Sequence, residues 1–440
     1  MAEKFQSFRE LLSFRRDCPL PALRCCEDGG PSALSYGELY ELVMEKSAEY
    51  RAQPWGSVLH VADSTCESIV AMLAASIAGK TVIMADGRLD DKMLQRLCTL
   101  TRAQQCFCDA ELDALLRPLL SPAEGHSVDG EGDLLFFTSG TCESSKAVVL
   151  SSRSLCYSAW NGQSLLPCGE GDVILSVLPL AHVFGFVCAM LWGFAYGACI
   201  ALGRGLRYIA EDCALYKPTI ISAVPSLAEF LMRLGAVNAE LRTMLIGSAP
   251  CTEQLIEQYR AQGVSVRFGY GLTETASGVA LSTSDEEPFA MTLCPDTEIR
   301  IAEDGEVLLK SSCMMRGYLG YPPAGEWLST GDVGYLDDLN RLHISGRKKD
   351  ILVLPSGNKI FCAEYESSLK ALIGPWDVAV IQRDNAPTAV FSGDKDRDVC
   401  TEAFNEFNRT LPRELQLRAM EFRREPLPRT ALGKLRRYEI

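Results

Sequence analysis

The chain has 440 residues, of which 47% are apolar and 23% charged, and a formal net charge of −14. That length exceeds one ordinary core, so two or three domains are expected. The negative balance opposes a nucleic acid partner, although a local basic site for a small phosphate-bearing ligand remains compatible with it. The eighteen cysteines include no CxxC, and the four histidines (His60, His126, His182, His343) lie far apart, so a zinc site is not expected. The N-terminus lacks the apolar core of a signal peptide, and free thiols in a reducing cytoplasm are the expected setting.

Residues 1–130 read as alternating helix and strand. LSYGELYELVMEKSAEYRAQ is helical after its first turn, SVLHVAD is a strand, ESIVAMLAASIAG an apolar helix ending at glycine, and KTVIMAD another strand. Strand–helix–strand order predicts a parallel sheet. The pattern continues through DLLFFTSG, GACIAL, PTIISAVPS, TMLIGSAP and VSVRFGYG, each apolar run ending in a small or polar turn. Ligands gather at such strand ends in open α/β sheets.

The uncharged run 183–202 is long enough to cross a bilayer. It carries three internal glycines and ends in a β-like GACIAL, so a core helix leading into a buried strand is expected, with no transmembrane segment. After about residue 295 short β segments predict a small β subdomain. From Lys349 a piece of α+β character follows, with helices near 363–372 and 399–410 and strands at DVAVIQRD and TAVFSGD. The boundary falls in the 346–350 turn, giving domains 1–346 and 347–440.

Five motifs carry chemistry. In DLLFFTSGTCESSKAVVLS, Thr138, Ser139, Gly140 and Thr141 form a hydroxyl- and glycine-bearing turn that suits phosphate oxygens, and Lys146 adds a point charge. It is not a Walker loop, since Ala147 follows the lysine. In FGYGLTETA, Glu274 is a hard oxygen ligand of the kind Mg²⁺ takes. In the 329–360 stretch, Asp332 can accept from two vicinal ribose hydroxyls and Arg347 can donate to sugar or phosphate. LPLAHVFGF contains a lone histidine among apolar residues, and LPRTALGKLRRYEI is a basic tail.

Taken in order, these motifs resemble the adenylate-forming superfamily, which includes acyl-CoA synthetases, luciferases and peptide-synthetase adenylation domains. The resemblance covers roughly residues 35–440 and is nearest to the acyl-CoA synthetases. It implies a large multi-layer α/β N-terminal domain with a small β subdomain, plus a small mobile α+β C-terminal domain. The phosphate loop keeps TSGT and Lys146 but departs from the family at Cys142, Glu143, Ser145 and Ala147.

Carried over residue by residue, the resemblance assigns Thr273 to the α-phosphate and Glu274 to Mg²⁺. Tyr270 and the turn Ser248, Ala249 and Pro250 go to adenine, and Gly271 is where substrate passes the backbone. Asp332 and Arg347 take the ribose, His182 and Phe184 the acid. Lys349 becomes the hinge, Gly357 the loop on the CoA side and Lys434 the catalytic lysine. The apolar residues Phe186, Val224, Pro225, Ala276 and Val279 would shape a greasy pocket. AHVFGF has no aspartate to hold an amino group, which favours a plain carboxylic acid, fatty or otherwise apolar.

The implied reaction uses ATP, Mg²⁺ and CoA to make an acyl-adenylate and then a thioester. Two alternatives stay open: loading of a separate acyl carrier protein, and a degenerate nucleotide-binding protein without turnover, for which Glu143 and Ala147 speak.

Overall fold

The computed structural model describes residues 2–27, 30–123, 130–138, 146–249, 251–354, 359–374, 376–383, 386–394, 397–429 and 435–440. Two sheets carry the first 347 residues. The smaller sheet runs in parallel through Gln105–Phe107, Ser57–Ala62, Thr81–Asp86 and Leu134–Phe137. It then continues antiparallel through Ala147–Leu150 to Gly317–Tyr318.

The larger sheet has thirteen strands among the described residues, with a parallel centre ordered Cys199–Leu202, Val173–Ser176, Ile220–Ala223, Thr243–Gly247 and Ser265–Leu272. All but Ser265–Leu272 are short apolar runs with both faces largely covered, as parallel sheets require. Helices start where the sequence offers caps. Ser35 and Glu38 form a capping box on Tyr36–Arg51, Thr65 caps Cys66–Ile77, and Ser151 caps Ser152–Leu165.

The 183–202 run is helical from Val183 to Tyr196, turns at Gly197 with φ +89°, and enters the strand Cys199–Leu202. Its middle, Val187–Leu191, is a π-helical turn. Among the described residues no helix is long and apolar enough to cross a membrane.

The strands expected to form a small β subdomain do not stand apart. Ser265–Leu272 pairs antiparallel with Ser277–Ser282 and that strand with Met291–Leu293, which meets Leu342–Arg347 through Met291 and Leu342. Leu328–Leu336, Glu306–Ser311 and Thr297–Ile301 then complete the same sheet. Short β segments look alike in sequence whether they close on themselves or extend a neighbour's edge, because edge pairing is backbone hydrogen bonding.

Beyond Asp350, the hairpin Ile351–Val353/Lys359–Phe361 precedes the helix Cys362–Ile373. A three-stranded sheet of Asp377–Arg383, Ala386–Ser392 and Ala419–Arg423 follows, with the helix Asp398–Thr410. This piece has its own apolar core, including Leu354, Tyr365, Trp376, Phe391 and Phe407.

Candidate active site

A cavity of about 1860 Å³ opens beyond the C-terminal ends of Thr243–Gly247 and Ser265–Leu272 and reaches the C-terminal piece. The motifs separated in sequence meet here. Thr138, Lys146, His182, Phe184, Ser248, Ala249, Tyr270, Gly271, Thr273, Glu274, Asp332, Arg347 and Lys349 all line it. Ser139, Gly140, Thr141, Cys142, Glu143, Ser145, Pro250, Gly357 and Lys434 lie outside the described residues.

Asp332 is 3% exposed and directly opposite Arg347 in the register of two antiparallel strands. Arg347 Nε lies 2.7 Å from Asp332 Oδ1, and Tyr270 Oη donates to Asp332 Oδ2 at 2.7 Å. Burial and the Asp332 charge push the Tyr270 phenol well above its ordinary range, so it stays protonated and donates. Thr330 Oγ1 accepts from the Asp332 amide at 3.0 Å and donates to the Val307 carbonyl at 2.7 Å, fixing the strand that presents the carboxylate.

Glu274 follows the strand Ser265–Leu272 in a tight 3₁₀ turn, Thr273–Thr275. Thr275 staples that turn: its Oγ1 accepts from the Leu272 amide at 3.0 Å and donates to the Ser277 carbonyl at 3.0 Å. The chain beyond is left-handed at two non-glycine residues, Ala276 (φ +51°) and Ser277 (φ +101°), and Ser248 across the site is left-handed at φ +70°. Such strain is typical of sites whose geometry the surroundings over-determine.

Gly271, where substrate is expected to pass, lines the cavity. An added Cβ would lie 1.6 Å from the Ser277 carbonyl oxygen, so the fold itself forbids a side chain.

Tyr318, which sequence reasoning missed, ties the two sheets together at the phosphate side. Its hydroxyl donates to Glu274 Oε1 at 2.8 Å, and the Met315 amide donates to the Glu274 carbonyl at 2.8 Å. Lys146 Nζ lies 4.5 Å from the Tyr318 ring centroid, a cation–π distance. Lys146 and Glu274 thus meet on one tyrosine, the lysine over its ring and the acid at its hydroxyl. Only a long-range strand pairing, Tyr318 with Val148, makes this possible.

His182 also has a partner that sequence reasoning missed. Its Nε2 lies 3.3 Å from Asp86 Oδ2, at the end of the strand Thr81–Asp86. Arg88 holds the same carboxylate through Nη2 at 2.6 Å and Nε at 2.9 Å. Burial alone would raise Asp86, but hydrogen bonds from Arg88 and His182 outweigh it and hold the carboxyl well below the usual range. The available signal was that KTVIMAD is another strand ending in a polar residue.

Phe184 packs against Gly247, where an added Cβ would meet its ring at 3.2 Å. It therefore lies at the junction with the Ser248 turn rather than deep among aliphatic residues. Of the apolar residues expected to shape the acid pocket, Pro225 lines the cavity, whereas Phe186, Ala276 and Val279 are fully buried in the main core and Val224 is buried in the core beside it. Helix and strand faces alternate, so neighbours in sequence point away from one another. Val183, Val187 and Leu272 line the cavity in their place.

The C-terminal piece closes one side. Arg429 and Leu435, which flank the 430–434 segment, form an antiparallel bridge and both line the cavity. Arg437 is held by Glu366 at 2.5 Å and by Asp350 at 3.1 Å, next to Lys349. Lys370 reaches Glu229 of the N-terminal part at 3.5 Å.

The cavity thus gathers a buried carboxylate paired with a half-exposed guanidinium, a tight turn bearing an acid, and a lysine. The profile of the AMP-binding enzyme family matches residues 14–319, and the chain belongs to that family, within the adenylate-forming superfamily. The match begins upstream of residue 35, where motif reading first found resemblance. The 2-succinylbenzoate–CoA ligase of Listeria monocytogenes serotype 4b (strain F2365) is 29% identical over 387 residues, spanning 82% of this chain and 78% of that one.

Among solved structures, an anthranilate CoA ligase in complex with anthranoyl-AMP superposes with a TM-score of 0.84 at 18% identity, covering 99% of this chain and 97% of that one. The O-succinylbenzoate CoA synthetase of Bacillus subtilis, in complex with ATP and magnesium, gives a TM-score of 0.81 at 22% identity over 98% of each chain. These likenesses show the fold.

Proposed function

We propose that this chain is an AMP-forming acid:CoA ligase acting on an apolar carboxylic acid, and on an aryl acid before a fatty one. The observation that carries this reading is the meeting of Asp332, Arg347, Tyr270, Glu274 and Lys146 around one cavity that continues past His182 into apolar walls. The names of the 2-succinylbenzoate–CoA ligase and the anthranilate CoA ligase support the aryl preference, although a long-chain-fatty-acid–CoA ligase of Mycobacterium bovis is also similar, and all three names support CoA over a carrier protein as acceptor.

In this reading the acid's carboxylate attacks the α-phosphorus of ATP, the bond to pyrophosphate breaks, and an acyl-adenylate forms. The CoA thiol then attacks the acyl carbon and AMP leaves. Asp332 and Arg347 orient the ribose, and Thr273 and Lys146 take phosphate oxygens. Lys434 neutralises charge developing at the α-phosphate.

The site suits Mg²⁺. Glu274, with one oxygen engaged by Tyr318, is a carboxylate of the kind such an ion takes beside phosphate and water. Such an ion would supply charge neutralisation at the phosphates. Residues 347–440, hinged at Lys349, would turn between the two half-reactions, bringing first Lys434 and then the Gly357 loop to the site.

The test is pyrophosphate release with short, long-chain and aryl acids, with and without CoA. Release should depend on the acid and accelerate with CoA. Lys434→Ala should lower it on the order of 10²–10³-fold, the range for removing one stabilising donor. Folded protein that releases no pyrophosphate with any of these acids would overturn the reading.

A further inference from the structure

The strand Thr81–Asp86 of the smaller sheet ends beside the turn that carries His182, which follows a strand of the larger sheet. His182 lines the cavity, whereas Asp86 stands behind it, outside the cavity wall.

The backbone of His182 is fixed on both sides. Its amide donates to the Pro179 carbonyl at 3.1 Å, and its carbonyl accepts from the Phe186 amide at 2.8 Å. The turn is closed so tightly that a Cβ on Gly185 would lie 2.4 Å from the Pro179 carbonyl oxygen. None of this sets the rotation of the imidazole, which depends on what its two nitrogens meet. Nε2 is buried and lies 3.3 Å from Asp86 Oδ2. A buried ring N–H turned to any apolar neighbour would be left unpaired at a cost. Asp86 therefore holds that edge of the ring away from the cavity and leaves Nδ1 for a ligand.

Asp86 is itself held. It pairs with Ala62 in the register of two parallel strands. The Arg88 amide and Nε donate to its Oδ1 at 3.0 and 2.9 Å, and Arg88 Nη2 donates to Oδ2 at 2.6 Å. The Asp86 side chain is 9% exposed and that of Arg88 54%. One guanidinium reaching in from solvent thus orients the carboxylate and offsets its charge, so an anion approaching the far edge of the imidazole meets little repulsion from it.

We propose that Asp86 is a positioning residue for the acid: it pins His182 so that the Nδ1 edge of the ring faces the acid's carboxylate. The proposal rests on the ligase reading above and adds to it a residue of the other sheet. An imidazole protonated on both nitrogens donates from both. The pinned ring then bridges two carboxylates, Asp86 behind it and the acid's in front. Freeing the ring weakens capture of the acid and leaves the ATP side, assigned to Asp332 and Arg347, as it was.

The experiment is a double-mutant cycle on the full chain: wild type, Asp86→Ala, His182→Ala and the two combined. Pyrophosphate release is followed at varied acid and at varied ATP, with the acid that the wild type uses best. Asp86→Ala should lower kcat/KM for the acid about tenfold, within the range for residues of one network, and change KM for ATP by less than about twofold. In the His182→Ala background the same substitution should change kcat/KM for the acid by less than about twofold, since no ring is left to position. Asp86→Asn keeps the shape and an acceptor for Nε2, and should fall between wild type and Asp86→Ala. Should Asp86→Ala not fold, Asp86→Asn carries the same cycle.

Equal losses with and without His182 would make Asp86 a tie between the two sheets and overturn this inference. So would an Asp86→Ala enzyme as good as the wild type, a KM for ATP that rises together with that for the acid, or a His182→Ala enzyme that uses the acid undiminished. The ligase reading would stand in each case. Wild-type protein inactive with every acid would overturn both.

Discussion

At the scale of single residues, the site depends on side chains that hold other side chains. Asp332, proposed above to orient the ribose, is buried with both oxygens engaged by Tyr270 and Arg347. Charge-assisted hydrogen bonds are roughly twice as strong as neutral ones, so Asp332→Asn should raise the KM for ATP by about tenfold or more, read from pyrophosphate exchange at varied ATP. An unchanged KM would remove Asp332 from the nucleotide site.

Thr275 is never in contact with ligand in the proposed chemistry, but its hydroxyl secures the turn leading into two left-handed residues. Thr275→Val keeps the shape and removes the hydroxyl. It should cost about 1–3 kcal/mol, the usual price of an unsatisfied buried group, and lower the adenylation rate, with Thr275→Ser restoring both. Thermal melts beside adenylation assays check this. The motif made Glu274 legible in the sequence. Thr275's role was not legible, because its partners are backbone atoms whose positions depend on φ at Ala276 and Ser277.

At the scale of elements, the helix Cys362–Ile373 is tied to the Lys348–Asp350 turn and to the C-terminal tail through one guanidinium. Arg437 bonds Glu366 on that helix and Asp350 beside Lys349. Breaking a buried pair by removing one partner costs about 3–5 kcal/mol. Arg437→Met should therefore destabilise the C-terminal piece strongly, and adding Glu366→Gln should recover part of the loss in urea melts.

Burial pushes Glu366 up to about 7, with Arg437 and the Val380 amide opposing it. A carboxyl raised in the folded state keeps its proton where the unfolded chain has released it. The stability it lends is complete below about pH 4.5, the ordinary value for glutamate, and is lost as pH rises through about 7. Urea melts between pH 4.5 and 8 should show that decline in the wild type and a flatter profile in Glu366→Gln. The sequence placed this helix and both its neighbouring strands correctly, because their apolar spacing is local. It left the triad hidden, since Asp350, Glu366 and Arg437 converge only through tertiary packing.

At the scale of the whole molecule, motif order made the family and the α/β class readable, because five short segments each carry chemistry that few other contexts require. What stayed out of reach were the long-range joins. The late β strands extend the large sheet through Met291 and Leu342, Tyr318 crosses between sheets to reach Glu274, and Asp86 meets His182. None of these contacts leaves a periodic signal, since strand order is decided by which edge is free rather than by the strand's own residues.

The contact of Lys370 with Glu229 across the cleft has a kinetic consequence. The two side chains are 38% and 34% exposed, and an exposed pair of this kind is worth at most about 1 kcal/mol. If the C-terminal piece turns as proposed above, the pair biases it toward one orientation without locking it. Dissolved ions weaken such a pair, since electrostatic reach shrinks from about 10 Å at 0.1 M salt to about 3 Å at 1 M. Under the proposed two-step reaction, ionic strength would then act as a dial on the cycle. Thioester formation from preformed acyl-adenylate, followed in a single turnover, should speed up between 0.05 and 0.5 M salt by a factor of about five or less. Lys370→Met should start fast and respond little. A wild type indifferent to salt would mean that the domain's timing is set elsewhere.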